Sequence, residues 1–224
     1  MRGAVIEAIE VSADRLRKAY DRRSGIYAAT VAKAEWPNHL KTMEKIRIEP
    51  SDRILEVAVG PGFSLVELLK RSGGENNVFG VDMSAGMLDL ARKRVSAAGF
   101  SNVDLRQADA GNLPFEENKF DILYNAYMLD LIPLKGFLPI LTEFKRVLKP
   151  GGKLVLLNMS KETEEETSFR EKIYQFMPKM LSLYLMGGCR PVLMSDTVRK
   201  AGFRNIEREF LKGNMPSEIV LAVK

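Results

Sequence analysis

Three carboxylates stand within or just after short apolar runs, and their spacing suits a bound nucleoside. Glu56 lies within Arg53–Val59 (RILEVAV), Asp82 closes Val78–Asp82, and Asp109 follows Val103–Ala108. Gly60-Pro61-Gly62 comes directly after the first run. Glycines in that position let the backbone approach a ligand closely and turn tightly into a helix N-terminus. Taken alone, the loop could equally be a structural turn or a dinucleotide-binding turn. Asp82 comes 22 residues after Gly60. At a strand end its carboxylate can accept hydrogen bonds from both ribose hydroxyls. Asp109, in Gln107-Ala108-Asp109-Ala110, can accept from an adenine amino group while the Ala110 N–H faces a ring nitrogen. Glu56 sits inside a strand, where an acid needs a reason: organising the glycine loop and meeting a ligand's ammonium group. A lone strand-end aspartate is usually a turn former. Three acids on three successive strands are a much rarer pattern.

The elements that must position these groups follow from periodicity. The first fifty residues read as helical, with Ser12 as a cap, Pro37 as a break, and Leu40, Met43 and Ile46 at helical spacing after it. From Arg53 onward, strands alternate with helices. A helix through Leu65, Leu68 and Leu69 follows the glycine loop. Ser84 caps another, with Met87, Leu88, Ala91 and Val95 inward and Gly99 at its end. Phe120–Asn125 is a fourth strand, Phe137–Leu148 a helix ended by Lys149-Pro150-Gly151-Gly152, and Lys153–Met159 a fifth strand. Such alternation predicts an α/β fold with a parallel sheet covered on both faces. Thr163 and Glu166 fit a capping box before an apolar helical stretch, Phe169–Met186. The last two strands, Asn205–Leu211 and Ile219–Val223, are joined too tightly for a crossover and should be antiparallel.

A chain of 224 residues with 46% hydrophobic and 28% charged residues suits one folded α/β domain. No apolar run approaches the roughly 20 residues of a membrane span, so a cytoplasmic protein is expected. Cys189 is the only cysteine, which rules out an intrachain disulfide and argues against a thiolate metal site; no metal is expected. The net charge of +5 would suit an anionic surface. The densest basic stretch is Arg15, Arg17, Lys18, Arg22 and Arg23, read as a solvated helix face or, alternatively, as a site of peripheral membrane contact. Basic and acidic residues are otherwise interspersed, so nucleic acid is not the expected partner.

From about Ile54 to its end the chain resembles the S-adenosylmethionine-dependent methyltransferases with a Rossmann-like sheet. The likeness runs through ILEVAVGPGFS, GVDMSAGML, QADAGNLPF, FDILYNAYML and EFKRVLKPGGKLVLLNM. Within that class it is most similar to the ubiquinone/menaquinone-biosynthesis type and related small-molecule enzymes. Tyr20-Asp21…Tyr27 resembles their N-terminal YD…Y segment. Ala58 stands where the motif usually has its first glycine, and the longer quinone-specific motifs are not evident. The resemblance implies a seven-stranded, mostly parallel sheet of order 3-2-1-4-5-7-6, its last strand antiparallel, with helices on both faces. It also implies S-adenosylmethionine as cofactor, with S-adenosylhomocysteine as its product. The cofactor contacts carried over are Tyr20, Tyr27, Glu56, Ala58, Gly60, Gly62, Asp82, Met83, Asp109, Ala110 and Asn125. Residues 1–50 would form a helical cap, and residues 51–224 the core, with a lid helix at about 165–187.

Methyl transfer from a sulfonium is an in-line displacement with a good leaving group. Holding the partners in attack geometry can supply about 7–11 kcal/mol, so a general base is optional. Asn125 and Tyr127, past the fourth strand, lie where acceptor and donor should meet. His39 is the only histidine and therefore the only candidate imidazole base, with a structural role as the alternative. Tyr127 and His39 are the catalytic candidates. The Met- and aromatic-rich stretch Phe169–Met186 favours an apolar, aromatic or lipid-like acceptor. A non-catalytic module that binds the donor or its product remains a second reading. A nicotinamide dehydrogenase fits poorly, because Leu65 stands where the third glycine of G-x-G-x-x-G belongs.

Overall fold

The computed structural model describes residues 17, 18, 21, 31–74, 77–101, 103–163 and 190–224. The expectations for Ser12, Tyr20, Tyr27, Glu166, Phe169–Met186 and Cys189 fall outside the described residues. The helices are α1 (Val31–Glu44), α2 (Phe63–Ser72), α3 (Ala85–Ala97), α4 (Leu134–Val147) and α5 (Ser195–Lys200). The strands are β1 (Ile54–Val57), β2 (Val78–Asp82), β3 (Asp104–Gln107), β4 (Phe120–Ala126), β5 (Leu148–Met159), β6 (Arg204–Leu211) and β7 (Ser217–Val223).

These strands form one seven-stranded sheet in the order β3-β2-β1-β4-β5-β7-β6. β1 to β5 pair in parallel, and β7 runs antiparallel to both β5 and β6. That is the expected topology. The physical cause is visible in β1, whose four residues are all buried. A central strand covered on both faces is largely apolar, and in β1 only Glu56 departs from that pattern. Its alternate side chains feed two different cores. Leu55 and Val57 join Phe137, Leu141 and Phe144 of α4. Ile54 joins Met43 of α1, Leu65 and Leu69 of α2, and Leu88 and Ala91 of α3. Chain order reverses between β1 and β4, so their following loops diverge and open a crevice at the carboxyl ends of the strands.

Two local expectations are corrected. Pro37 does not break the first helix but lies within α1. A proline there forfeits a backbone hydrogen bond and costs about 3 kcal/mol. Tertiary contacts on either side offset that cost: Glu35, His39, Thr42 and Met43 are buried, and the Asn38 amide donates to the Tyr127 hydroxyl and the Met215 carbonyl at 3.0 Å each. The fifth strand begins at Leu148 rather than Lys153. Leu148 pairs with Phe120 and Lys153 with Ile122, so Lys149–Gly152 is an excursion from the ladder.

Candidate active site

The crevice at the strand switch is a cleft of about 300 Å³, at the small end of the roughly 300–1,000 Å³ typical of small-molecule sites. Its walls come from the ends of the first four strands. Ala58 and Gly60 follow β1; Asp82 and Met83 close β2; Asp109 and Ala110 follow β3; Tyr127 and Met128 follow β4. Met87 of α3, Ile140 of α4 and the turn Leu131–Pro133 complete an apolar wall. Sequence reading did not anticipate that wall. The turn's residues carry no periodic signal, and Met87 and Ile140 look like ordinary inward-facing helix positions.

The glycine loop is held by Asp82. Its Oδ2 accepts the Gly60 N–H at 2.9 Å, and its Oδ1 the Ser84 N–H at 2.8 Å. Burial pushes the Asp82 carboxyl up to about 6, against the opposing pull of those N–H donors. Carboxylate oxygens have further lone pairs, so ribose hydroxyls can add to these bonds. The loop's left-handed residues are Ala58 (φ 62), Gly60 (φ 51) and Gly62 (φ 80). A Cβ on Gly60 would meet nothing within 4 Å, whereas one on Gly62 would lie 2.9 Å from the Ala91 Cα. Gly60 therefore leaves open space at the cleft, while Gly62 lets α3 pack against the loop and does not line the cleft.

Asp109 lies exposed at the cleft rim, its Oδ1 accepting the Gly111 N–H at 2.7 Å. The Ala108 N–H donates to the Asp82 carbonyl at 3.0 Å and fastens the β3 end to the β2 end. Glu56 lies beneath the loop, 1% exposed. The Ser64 hydroxyl of α2 donates to its Oε1, while Oε2 has no partner among the described residues. Burial raises this carboxyl to about 8.

Other expected residues sit differently. Asn125 is fully buried, and its amide donates to the Val57 carbonyl at 2.9 Å, bracing β1 against β4 rather than lining the cleft. Tyr127 lines the cleft, but its hydroxyl is engaged by Asn38 and Ser217 at 3.0 Å each. Burial raises its pKa further above the usual tyrosine range. His39 lies behind it, its ring centre 5.6 Å from that of Tyr127, with Nδ1 2.7 Å from the Tyr124 hydroxyl. Burial lowers its pKa to about 4, so the ring is neutral near pH 7. Asp21, the acid of the YD…Y segment, accepts from the Ser84 hydroxyl at 2.5 Å and from the Gly86 N–H at 3.2 Å. These bonds set Asp21 at the first turn of α3, close enough to Asp82 to act on its charge.

A donor nucleoside fits this site. Gly60 leaves space where a side chain would intrude, and a buried carboxylate ends β2. A second acid stands on the rim at the β3 end. The sheet order and the cleft at its switch point define the Rossmann-like methyltransferase class. Residues 54–152 match the family described as a methyltransferase domain, and the chain is an S-adenosylmethionine-dependent methyltransferase. It is 29% identical over 175 residues to the demethylmenaquinone methyltransferase of Geobacillus kaustophilus (strain HTA426), covering 76% of this chain and 73% of the relative. Among solved structures it resembles a SAM-dependent methyltransferase from Aquifex aeolicus, with TM-score 0.59 and 22% identity over 83% of this chain and 88% of that one. It also resembles the [4+2]-cyclase SpnF, with TM-score 0.75 and 16% identity over 100% and 99%. Likenesses this distant in sequence speak for the fold alone.

Proposed function

We propose that this protein methylates a small apolar, aromatic acceptor of the reduced-quinone type, with the donor's nucleoside held in the cleft at the strand switch. The observation that carries the reading is that, among the described residues, neither candidate base on the β4 side of the cleft is available. His39 is neutral and bonded to Tyr124, and the Tyr127 hydroxyl is engaged by Asn38 and Ser217. An acceptor that is nucleophilic by itself needs no such base, and a hydroquinol ring is one. The demethylmenaquinone methyltransferase relative supports the same class.

When bound, S-adenosylmethionine supplies a methyl carbon on a sulfonium, a leaving group that departs without a proton. Bound there, it would give that methyl to a ring carbon of the acceptor, the C–S electron pair returning to sulfur as the C–C bond forms and the ring proton leaving to water at the cleft mouth to restore aromaticity. The protein's part is placement. Asp82 holds the ribose, Asp109 reads the adenine amino group, and the apolar wall excludes water. Asp21, bonded to Ser84 and Gly86, braces the first turn of α3 beside the ribose acid.

The test is a turnover assay with labelled donor across short-chain reduced naphthoquinones, reduced benzoquinones, catechols and hydrophilic amines. The reading expects labelled quinol and little labelled amine. Labelling of amines alone would refute the acceptor class.

A further inference from the structure

We propose that Arg190 is a positioning residue for the donor nucleoside: it fixes the turn before α4 as the apolar wall against which the adenine ring lies. The proposal rests on the reading of the cleft as the donor site.

The turn is irregular backbone. Leu129–Leu131 form a single 3-10 turn, Ile132 is extended, and Pro133 leads into α4. Leu131, Ile132 and Pro133 line the cleft. A segment of this kind has carbonyls that no helix or strand ladder satisfies, so its shape depends on outside donors. Arg190 supplies them. Its Nη1 donates to the Asp130 carbonyl at 2.9 Å and its Nη2 to the Ile132 carbonyl at 2.8 Å. Its own backbone N–H donates to the Asp130 carbonyl at 3.2 Å. The guanidinium also lies 5.5 Å from the centre of the Phe137 ring, on the first turns of α4. From the other side, the Asp130 carboxylate accepts the Met159 N–H at 3.1 Å and ties the turn to the end of β5.

Arg190 is fully buried, which is costly for a charge. A well-packed apolar side chain would stabilise such a place as well, but it could not bridge two carbonyls spaced two residues apart. A planar fork of rigidly spaced donors can. The arrangement therefore serves the shape of the turn, three of whose residues line the cleft.

The test measures S-adenosylhomocysteine affinity by calorimetry for wild type, Arg190→Lys, Arg190→Ala and, in parallel, Asp82→Ala, with the ligand-free melting temperature of each. The proposal expects affinity to fall about tenfold or more in both Arg190 variants, on the scale of one or two lost charge-assisted hydrogen bonds. Millimolar guanidinium should restore affinity to Arg190→Ala, and methylammonium should not. If Arg190→Ala does not fold, the lysine variant carries the measurement. Wild-type affinity in the folded Arg190 variants, alongside a weakened Asp82→Ala, would overturn this proposal and leave the donor-site reading intact. Reduced affinity that guanidinium fails to restore would overturn it as well. Unchanged binding in Asp82→Ala, or no binding by wild type, would overturn both.

Discussion

Two glycines two residues apart should respond to alanine in opposite ways, because one faces the cleft and the other faces a helix. At Gly60, with φ 51, an added Cβ meets nothing within 4 Å. The cost to folding is the left-handed alanine, about 1–2 kcal/mol, less about 0.4–1 kcal/mol from a stiffer unfolded chain. The net effect is about 0–1.6 kcal/mol. The new methyl nevertheless projects where the donor must pass, so S-adenosylhomocysteine affinity should fall at least tenfold. At Gly62, with φ 80, the same backbone penalty applies and the Cβ would lie 2.9 Å from the Ala91 Cα and 3.0 Å from its Cβ. Overpacking against a helix adds about 1–3 kcal/mol, for a total of roughly 1–4.6 kcal/mol. Urea denaturation measures the folding cost and calorimetry the affinity. Gly60→Ala should be stable but weak-binding; Gly62→Ala should be the less stable of the two. Ala58 (φ 62) already shows that the loop accepts one left-handed alanine. If Gly62→Ala were no less stable than Gly60→Ala, or if Gly60→Ala bound like wild type, the division of labour in this loop would be wrong.

Donor affinity should also depend on pH. The Asp82 carboxyl sits at about 6, and ribose binding needs it ionised, so affinity should be flat above pH 7 and fall with acidification below about 6; calorimetry across that range checks this. Glu56 and Asp82 both bind a proton more tightly folded than unfolded. Their contribution to stability is therefore fully present below the ordinary carboxyl range and is lost as pH rises through about 6 for Asp82 and about 8 for Glu56. Glu56→Gln should accordingly melt higher than wild type at about pH 9, with a smaller difference near pH 6. His39 is the only histidine, so one imidazole resonance reports it. With a pKa of about 4, that resonance should not move between about pH 5.5 and 8, and a midpoint near the ordinary 6.5 would refute its burial. Asp109→Asn should weaken S-adenosylhomocysteine but not its inosine analogue, since the amide can donate to the inosine oxygen; equal weakening of both would remove Asp109 from adenine recognition.

The parts of the site that sequence revealed are those whose chemistry is local. The loop Ala58–Gly62 follows β1, and Asp82 ends a strand whose limits were read without error, so their placement needed only the alternation of strands and helices. What stayed hidden depends on residues far apart in the chain. Gly62 reads as a ligand glycine until Ala91 is seen against it. Arg190 reads as one more basic residue, because its carbonyl partners lie some sixty positions earlier. The buried face of α1 carries Glu35, His39 and Thr42 beside Met43. An apolar-periodicity reading finds Met43 and Ile46, which are in the core, but misses the polar part of that face and takes Pro37 for a break. Asn125 sits at the right strand end, yet its amide turns to the Val57 carbonyl, a choice that no spacing encodes.

The most direct test of the account is a crystal structure of the protein with S-adenosylhomocysteine. The ribose hydroxyls should lie within hydrogen-bond distance of the Asp82 carboxylate, the adenine against Leu131–Pro133 with its amino group toward Asp109, and the sulfur near the end of β4. A nucleoside bound elsewhere, or one lying in the cleft with its ribose away from Asp82, would contradict it.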